Sequence, residues 1–231
     1  MRSALVIGNS GGIGKAIFNH LRDTGYAVKG LSRSVDGLDL RDESSIIQHL
    51  SALKSSSSDQ DPPSFDRIII ATGALNSPGQ APEKSLRSLS SDAMIEQFKV
   101  NTIGPALLLK NIISLRMIPK LTPSHIAVLS ARVGSIGDNK LGGWYSYRAS
   151  KAAVNQVVHT TAIELARTHS QACLCLLHPG TVATEFTKNY QSRHSAITPE
   201  QCAQSLMKVL DNLDSENSGQ FHDWKGNQVP W

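Results

Sequence analysis

The chain has 231 residues, 40% of them hydrophobic and 18% charged, with three cysteines and a formal charge of +4. This composition excludes chain-wide disorder and a secreted disulfide scaffold, and the lysines and arginines are too scattered to suggest a nucleic-acid partner. No apolar run is long enough for a membrane span, and the opening MRSALVIG stops at Gly8, too short for a signal core, so one α/β domain over 1–231 in a reducing, cytoplasmic setting is expected.

Ala4 to Ile7 forms a short, apolar, β-branched run that ends at Gly8, the pattern of a buried parallel strand. The turn that follows, Gly8-Asn9-Ser10-Gly11-Gly12-Ile13-Gly14, opens a helical pattern that stops near Gly25. A strand, a glycine turn and a helix start make an anion site, because free backbone N–H groups and the positive end of the helix dipole converge there. A second strand, Ala27 to Leu31, leads to Ser32 and Arg33. An acid at this tip would take a ribose 2′-hydroxyl, whereas an arginine takes a 2′-phosphate, so NADP(H) is preferred over NAD(H).

GLDL reads as a third, short strand ending near Asp39 and Leu40, followed by a helix over Glu43 to Leu53 and the polar surface loop KSSSSDQDPPS. Phe65 to Ile70 is the next strand, closed by Ala71-Thr72-Gly73-Ala74; NSPGQAPEKSLRSLS then reads as a loop near a substrate mouth. From Ser91 a helical pattern runs to Leu109, broken by Gly104 and Pro105, which predicts a kink close to Asn101.

His125 to Leu129 is a fifth strand, and a long loop carries the chain to YSYRASK. Four residues apart on one helix, Tyr147 and Lys151 share a face, and a neighbouring cation lowers a phenol from its ordinary value of about 10. That would suit Tyr147 to general acid/base work. Trp144 and Tyr145 either wall a substrate pocket or pack beneath the loop. The helix to about Arg167 is apolar on two sides, one for the sheet and one for a subunit contact. Strand Ala172 to Leu177 carries Cys173 and Cys175 as core thiols and ends at His178-Pro179-Gly180-Thr181-Val182-Ala183-Thr184. A helix from Thr198 to Leu213, a last strand over Gly219 to His222 and an aromatic tail finish the chain; no His, Asp, Glu or Cys grouping suggests a metal.

Gly8-x-x-x-Gly12-x-Gly14, Asn101, Tyr147-x-x-x-Lys151 and Pro179-Gly180-x-Val182-x-Thr184, in this order, resemble the short-chain dehydrogenase/reductase family, whose turn reads TGxxxGxG; Ile7 stands in place of the threonine. SARVGSIGDN and GGWYSYRASKAA are similar to its small carbonyl-reductase or C-factor-like branch. The resemblance implies a Rossmann-type doubly wound parallel sheet of about seven strands and an NADP(H)-dependent oxidoreductase acting on a small carbonyl or alcohol. It makes Tyr147 the acid/base and gives Lys151 the ribose and the tuning of Tyr147. The Asn101 backbone carbonyl would hold a relay water, Asp39 and Leu40 would meet the adenine, and Ala71 and Gly73 would pack near the cofactor. Pro179, Gly180, Val182 and Thr184 would hold the nicotinamide carboxamide. Register against Gly134 puts Ala131 where the family has its serine, leaving Ser130 as the candidate hydroxyl and Ser135 as a second. Homodimer or homotetramer assembly through the Asn101 and Tyr147 helices is also implied. The rival readings are a cofactor-binding regulatory or signalling protein without significant catalysis and, more remotely, a structural oligomer.

Overall fold

Five apolar strands of four to seven residues and one short closing strand line up in parallel, in the order β2-β1-β3-β4-β5-β6, in a computed structural model that describes residues 2–55, 64–77, 79–188 and 196–231. They are β1 (Ser3–Ile7), β2 (Ala27–Leu31), β3 (Arg67–Ile70), β4 (Ser124–Leu129), β5 (Ala172–His178) and β6 (Phe221–Asp223). The helices are α1 (Gly12–Asp23), the four-residue α2 (Arg33–Asp36), α3 (Glu43–Ser55), α4 (Ser91–Phe98), α5 (Gly104–Ser114), α6 (Tyr145–Leu165) and α7 (Pro199–Asp211).

Alternation along β1 shows why helices cover both faces. Leu5 and Ile7 point into a core shared with Ile46 and Leu50 of α3, Leu108 and Ile112 of α5 and Val154 and Val158 of α6. Ala4 and Val6 point the other way, against Ile17 and Leu21 of α1 and Leu206 and Leu210 of α7. Along β1, β3, β4 and β5 both faces are largely covered, so these strands read as near-continuous apolar runs, whereas edge strand β2 leaves Ala27 and Lys29 exposed; each fully buried Leu or Ile contributes about 1.5–3 kcal/mol. Helix α7 starts where its sequence says it should: Thr198 and Gln201 form a capping box, with Pro199 in the first turn.

Six strands are present among the described residues where about seven were expected. GLDL is not a strand. Gly37 ends α2 with φ 84°, and Asp39 N–H is taken by the Ser45 hydroxyl at 3.0 Å. Leu38 and Leu40 still bury themselves in the core, which explains the strand-like alternation. The expected kink is a π-helical turn, Lys99–Ile103, between α4 and α5, with Pro105 in the first turn of α5. The polar segment expected as a surface loop falls largely on 56–63, outside the described residues. No helix among the described residues is long and apolar enough to cross a membrane.

Candidate active site

The chain leaves β1 for β2 on one side and returns to β3 on the other, and at this reversal the carboxyl ends of the strands surround a cavity of about 890 Å³. Of the residues singled out in the sequence, Gly12, Ile13, Gly14, Ala71, Gly73, Ser130, Tyr147, Lys151, Pro179, Gly180, Val182 and Thr184 line it.

The glycine turn is built by close approach. Gly8 has φ 95°, and a Cβ on Gly14 would lie 2.8 Å from the Gly8 carbonyl carbon and nearer still to its oxygen. Gly11, at the start of α1, brings no side-chain cap, so the first helical amides keep no side-chain acceptor. Asn9 Oδ1 and, across the turn, Thr72 Oγ1 are buried without a hydrogen-bond partner. Uncapped amides, close backbone and orphaned polar atoms fit the phosphates and ribose of a dinucleotide.

At the tip of β2, Arg33 is exposed and Ser32 is buried. Sequence reasoning saw no acid here, but α2 turns Asp36 back so that its carboxylate accepts from Ser32 N–H (2.7 Å) and the Ser32 hydroxyl (3.2 Å). The signal was present in Ser-Arg-Ser-Val-Asp-Gly, a one-turn helix closed by glycine. Asp39 is engaged as well. Its Oδ1 accepts from Arg41 N–H (3.0 Å) and Nε (3.1 Å), and the backbone bond from Arg41, foremost, holds its carboxyl below the usual range. Leu40 packs against Gly104 at the start of α5.

Tyr147 and Lys151 are one turn apart on α6, as their spacing requires, and both are buried. The Lys151 ammonium donates to the Leu129 carbonyl (3.0 Å) and lies 5.9 Å from the Tyr147 ring centre. The expected lowering of the tyrosine is corrected by the structure: burial pushes the Tyr147 phenol above its ordinary value and pulls Lys151 down to about 8. Desolvation wins because it penalises each charged form, while the ammonium is directed at a carbonyl. Asn101 is fully buried in the π turn. Its side chain bonds Ala74 N–H and carbonyl (2.8 Å each), Gln97 (2.7 Å) and the Ser150 hydroxyl (3.1 Å), tying the end of β3 to α6.

Both candidate serines are already hydrogen-bonded within the chain. Ser130 donates its one hydroxyl proton to Asn155 Oδ1 at 2.6 Å, so it has none left for a substrate carbonyl in this arrangement. The Ser135 hydroxyl lies 3.5 Å from the Trp231 carbonyl and accepts from Asp138 N–H, off the cavity. Ala131 lines the cavity. His178, also in the lining, accepts from Arg132 N–H on Nδ1 (3.2 Å); burial, then the Arg132 charge, lower it to about 4 and keep the ring neutral.

Aromatic rings enclose Tyr147: Trp144 edge-on at 6.2 Å and Phe186 tilted at 6.3 Å. Trp144 lines the cavity, whereas Tyr145 does not. The tail packs within the chain, Trp224 on Gly180 and Trp231 against Phe221 and His159. Among the described residues no group of His, Cys, Asp or Glu could hold a metal.

Sequence reasoning missed Glu83. Helix α6 is preceded by Trp144, a left-handed residue (φ 54°) that gives no cap from its own side chain, and a loop about 60 residues upstream supplies the cap instead. The Glu83 carbonyl accepts from Trp144 N–H (2.5 Å), and its carboxylate accepts from Ser146 N–H (3.3 Å) and, in a short bond, from the Ser146 hydroxyl. A negative group at a helix start is favourable in its own right. Glu83→Ala is expected to cost about 1–3 kcal/mol in urea unfolding, because it orphans a buried donor, and to lower kcat by loosening the turn that carries Tyr147. Glu83→Gln should recover part of both.

The model of the short chain dehydrogenase family matches residues 2–195. A 1-hydroxy-2-glutathionyl-2-methyl-3-butene dehydrogenase of Rhodococcus sp. is 43% identical over 145 residues, 62% of this chain and 61% of that protein. The C-signal of Myxococcus xanthus is 32% identical over 141 residues, 60% of this chain and 78% of that protein. The chain thus matches about three fifths of the length of the Rhodococcus relative. Among solved structures, an NADPH-bound carbonyl reductase from chicken fatty liver superposes with a TM-score of 0.85 at 23% identity, over 100% of this chain and 99% of that one. The carbonyl reductase Sniffer of D. melanogaster does so with 0.80 at 19% identity, over 100% of each. At these identities the structural likeness is one of fold.

Proposed function

The chain belongs to the short chain dehydrogenase family, and on that premise we propose an NADP(H)-dependent oxidoreductase, one dinucleotide-binding domain that interconverts a carbonyl and an alcohol with Tyr147 as general acid and base. The observation that carries this reading is that Tyr147 and Lys151 line one cavity with the glycine turn and the Pro179-Gly180 segment. The nicotinamide would exchange a hydride with the reacting carbon. Tyr147, protonated at neutral pH because burial disfavours its anion, would give its proton to the carbonyl oxygen during reduction. Lys151 would stabilise the phenolate left behind and hold the ribose, while the π turn at Asn101 would place a water for proton resupply. Trp144 and Phe186 would exclude bulk water from the transfer.

Arg33 supports the phosphate-bearing cofactor, and Asp36 is the group that would favour NAD(H) in its place. Titration with NADPH and NADH, followed by NADPH consumption over a carbonyl panel, tests the whole reading. Arg33→Ala is expected to weaken NADPH about tenfold to a hundredfold, the worth of one or two charge-assisted bonds, with NADH little changed. Equal loss for both nucleotides would remove the phosphate role.

A second reading, a cofactor-binding regulatory or signalling protein, is favoured by Ala131 together with the commitment of the Ser130 proton to Asn155. It predicts tight NADPH binding with no turnover of any carbonyl. In either case a pair of subunits would meet through the faces of α4–α6 that leave Ile95, Ile103 and Ile163 about half exposed, and the three free, buried cysteines suit a reducing, cytoplasmic compartment.

A further inference from the structure

One wall of the cavity carries positive charge that no carboxylate among the described residues neutralises. Lys84 and Lys140 both line it, both are exposed, and neither has a carboxylate partner among the described residues. The two surface carboxylates of the lining are already paired, Asp138 with Arg132 and Glu185 with Lys188, each at 3.3 Å. Arg148 adds a third cation, bonded to the carbonyl oxygens of Gly143 (2.9 Å), Gly142 (3.1 Å) and Val133 (3.3 Å) and, among the described residues, to no carboxylate. These segments form one surface: Glu83 binds Trp144 and Ser146, and a Cβ on Gly143 would lie 3.8 Å from the Lys84 carbonyl oxygen. Next to Lys140, Leu141 lines the same cavity with 90% of its surface exposed. The phosphate-binding features do not explain this charge, since they follow β1 and β2, whereas Lys84 and Lys140 follow β3 and β4.

Building on the reductase reading, we infer that the substrate is an amphipathic anion: a carbonyl or alcohol whose reacting carbon is joined, through an apolar segment that covers Leu141, to a carboxylate held by Lys84 and Lys140. Exposed lysines attract such a group without a fixed geometry, so the preference is electrostatic and salt-sensitive. The cavity is large enough for a ligand of this kind beside part of a dinucleotide.

The test compares benzoylpropionate with its uncharged amide as substrates at low ionic strength. The carboxylate is expected to have the higher kcat/KM by about tenfold, as two exposed ion pairs allow, and the ratio should fall towards one in concentrated salt and below one in Lys84→Glu/Lys140→Glu. A ratio near one in the parent protein, with both compounds turned over, overturns the inference and leaves the reductase reading standing. If neither compound is turned over, calorimetry with phenylbutyrate and phenylbutyramide on the NADPH-saturated protein decides. Tighter binding of the carboxylate that is lost in the double variant upholds the anion site while the reductase reading falls; equal binding, or none, overturns it.

Discussion

Tyr147→Phe is expected to lower kcat for carbonyl reduction by about 10³ or more, within the range that general acid catalysis supplies, and to leave the NADPH dissociation constant within about twofold. The ring is buried between Trp144 and Phe186, so phenylalanine fills the same space and removes only the hydroxyl. Equal falls in kcat and kcat/KM would mark a group used in the transition state rather than in binding. The parent protein should also lose reductase activity as pH rises through about 8. There Lys151 gives up its proton, and no cation remains to stabilise the phenolate that forms on Tyr147. Since burial holds the Tyr147 pKa higher still, the limb belongs to the lysine. Stopped-flow NADPH oxidation across pH measures both effects, and substantial turnover by the phenylalanine variant would remove Tyr147 as the proton donor.

Gly14→Ala is expected to weaken NADPH binding by tenfold to a hundredfold, since overpacking costs about 1–3 kcal/mol, and to lower thermal stability alongside. The added methyl would run into the Gly8 carbonyl and lie 3.3 Å from the Ala71 Cβ. Backbone on one side and Ala71, just past β3, on the other leave no flexible side chain to yield. To relieve the clash, α1 must tilt away from β1, which moves the amides that face the phosphates. Gly25→Ala is the contrasting control: its Cβ would meet nothing within 4 Å, although its φ of 87° carries a conformational cost. Fluorescence titration with NADPH, paired with a melting curve for each variant, separates lost binding from lost fold, and undiminished affinity in Gly14→Ala would sink the account of the turn.

The parts of this fold that could be read from sequence are those where one residue type has one physical use. The glycine turn, the Tyr147–Lys151 spacing and the short apolar strand runs belong here, as does the Thr198-Pro199 helix start. Each is local, and the structure has them all. What escaped was set by contacts that no local pattern displays. Leu38 and Leu40 alternate like a strand, yet they bury themselves from an irregular segment. Asp36 lies only four residues from Ser32, and because a one-turn helix leaves no periodicity, its return was legible only in the closing Gly37. Ser130 carries a hydroxyl in nearly the right register, and only the position of Asn155, 25 residues on, shows where its proton goes. The pKa of Tyr147 turned on the same kind of information: spacing brings the lysine near, whereas depth in the core decides that desolvation outweighs it.

Glu83 and Lys84 are chain neighbours, one clasping the start of α6 and the other facing into the cavity. For protein engineers the loop is therefore not an interchangeable part. A library that varies residues 75–90 to change substrate choice also varies the carboxylate that binds Ser146 at the first turn of α6, so many variants would lose rate for reasons unrelated to their new contacts. A transplanted loop would have to bring its own acid at position 83.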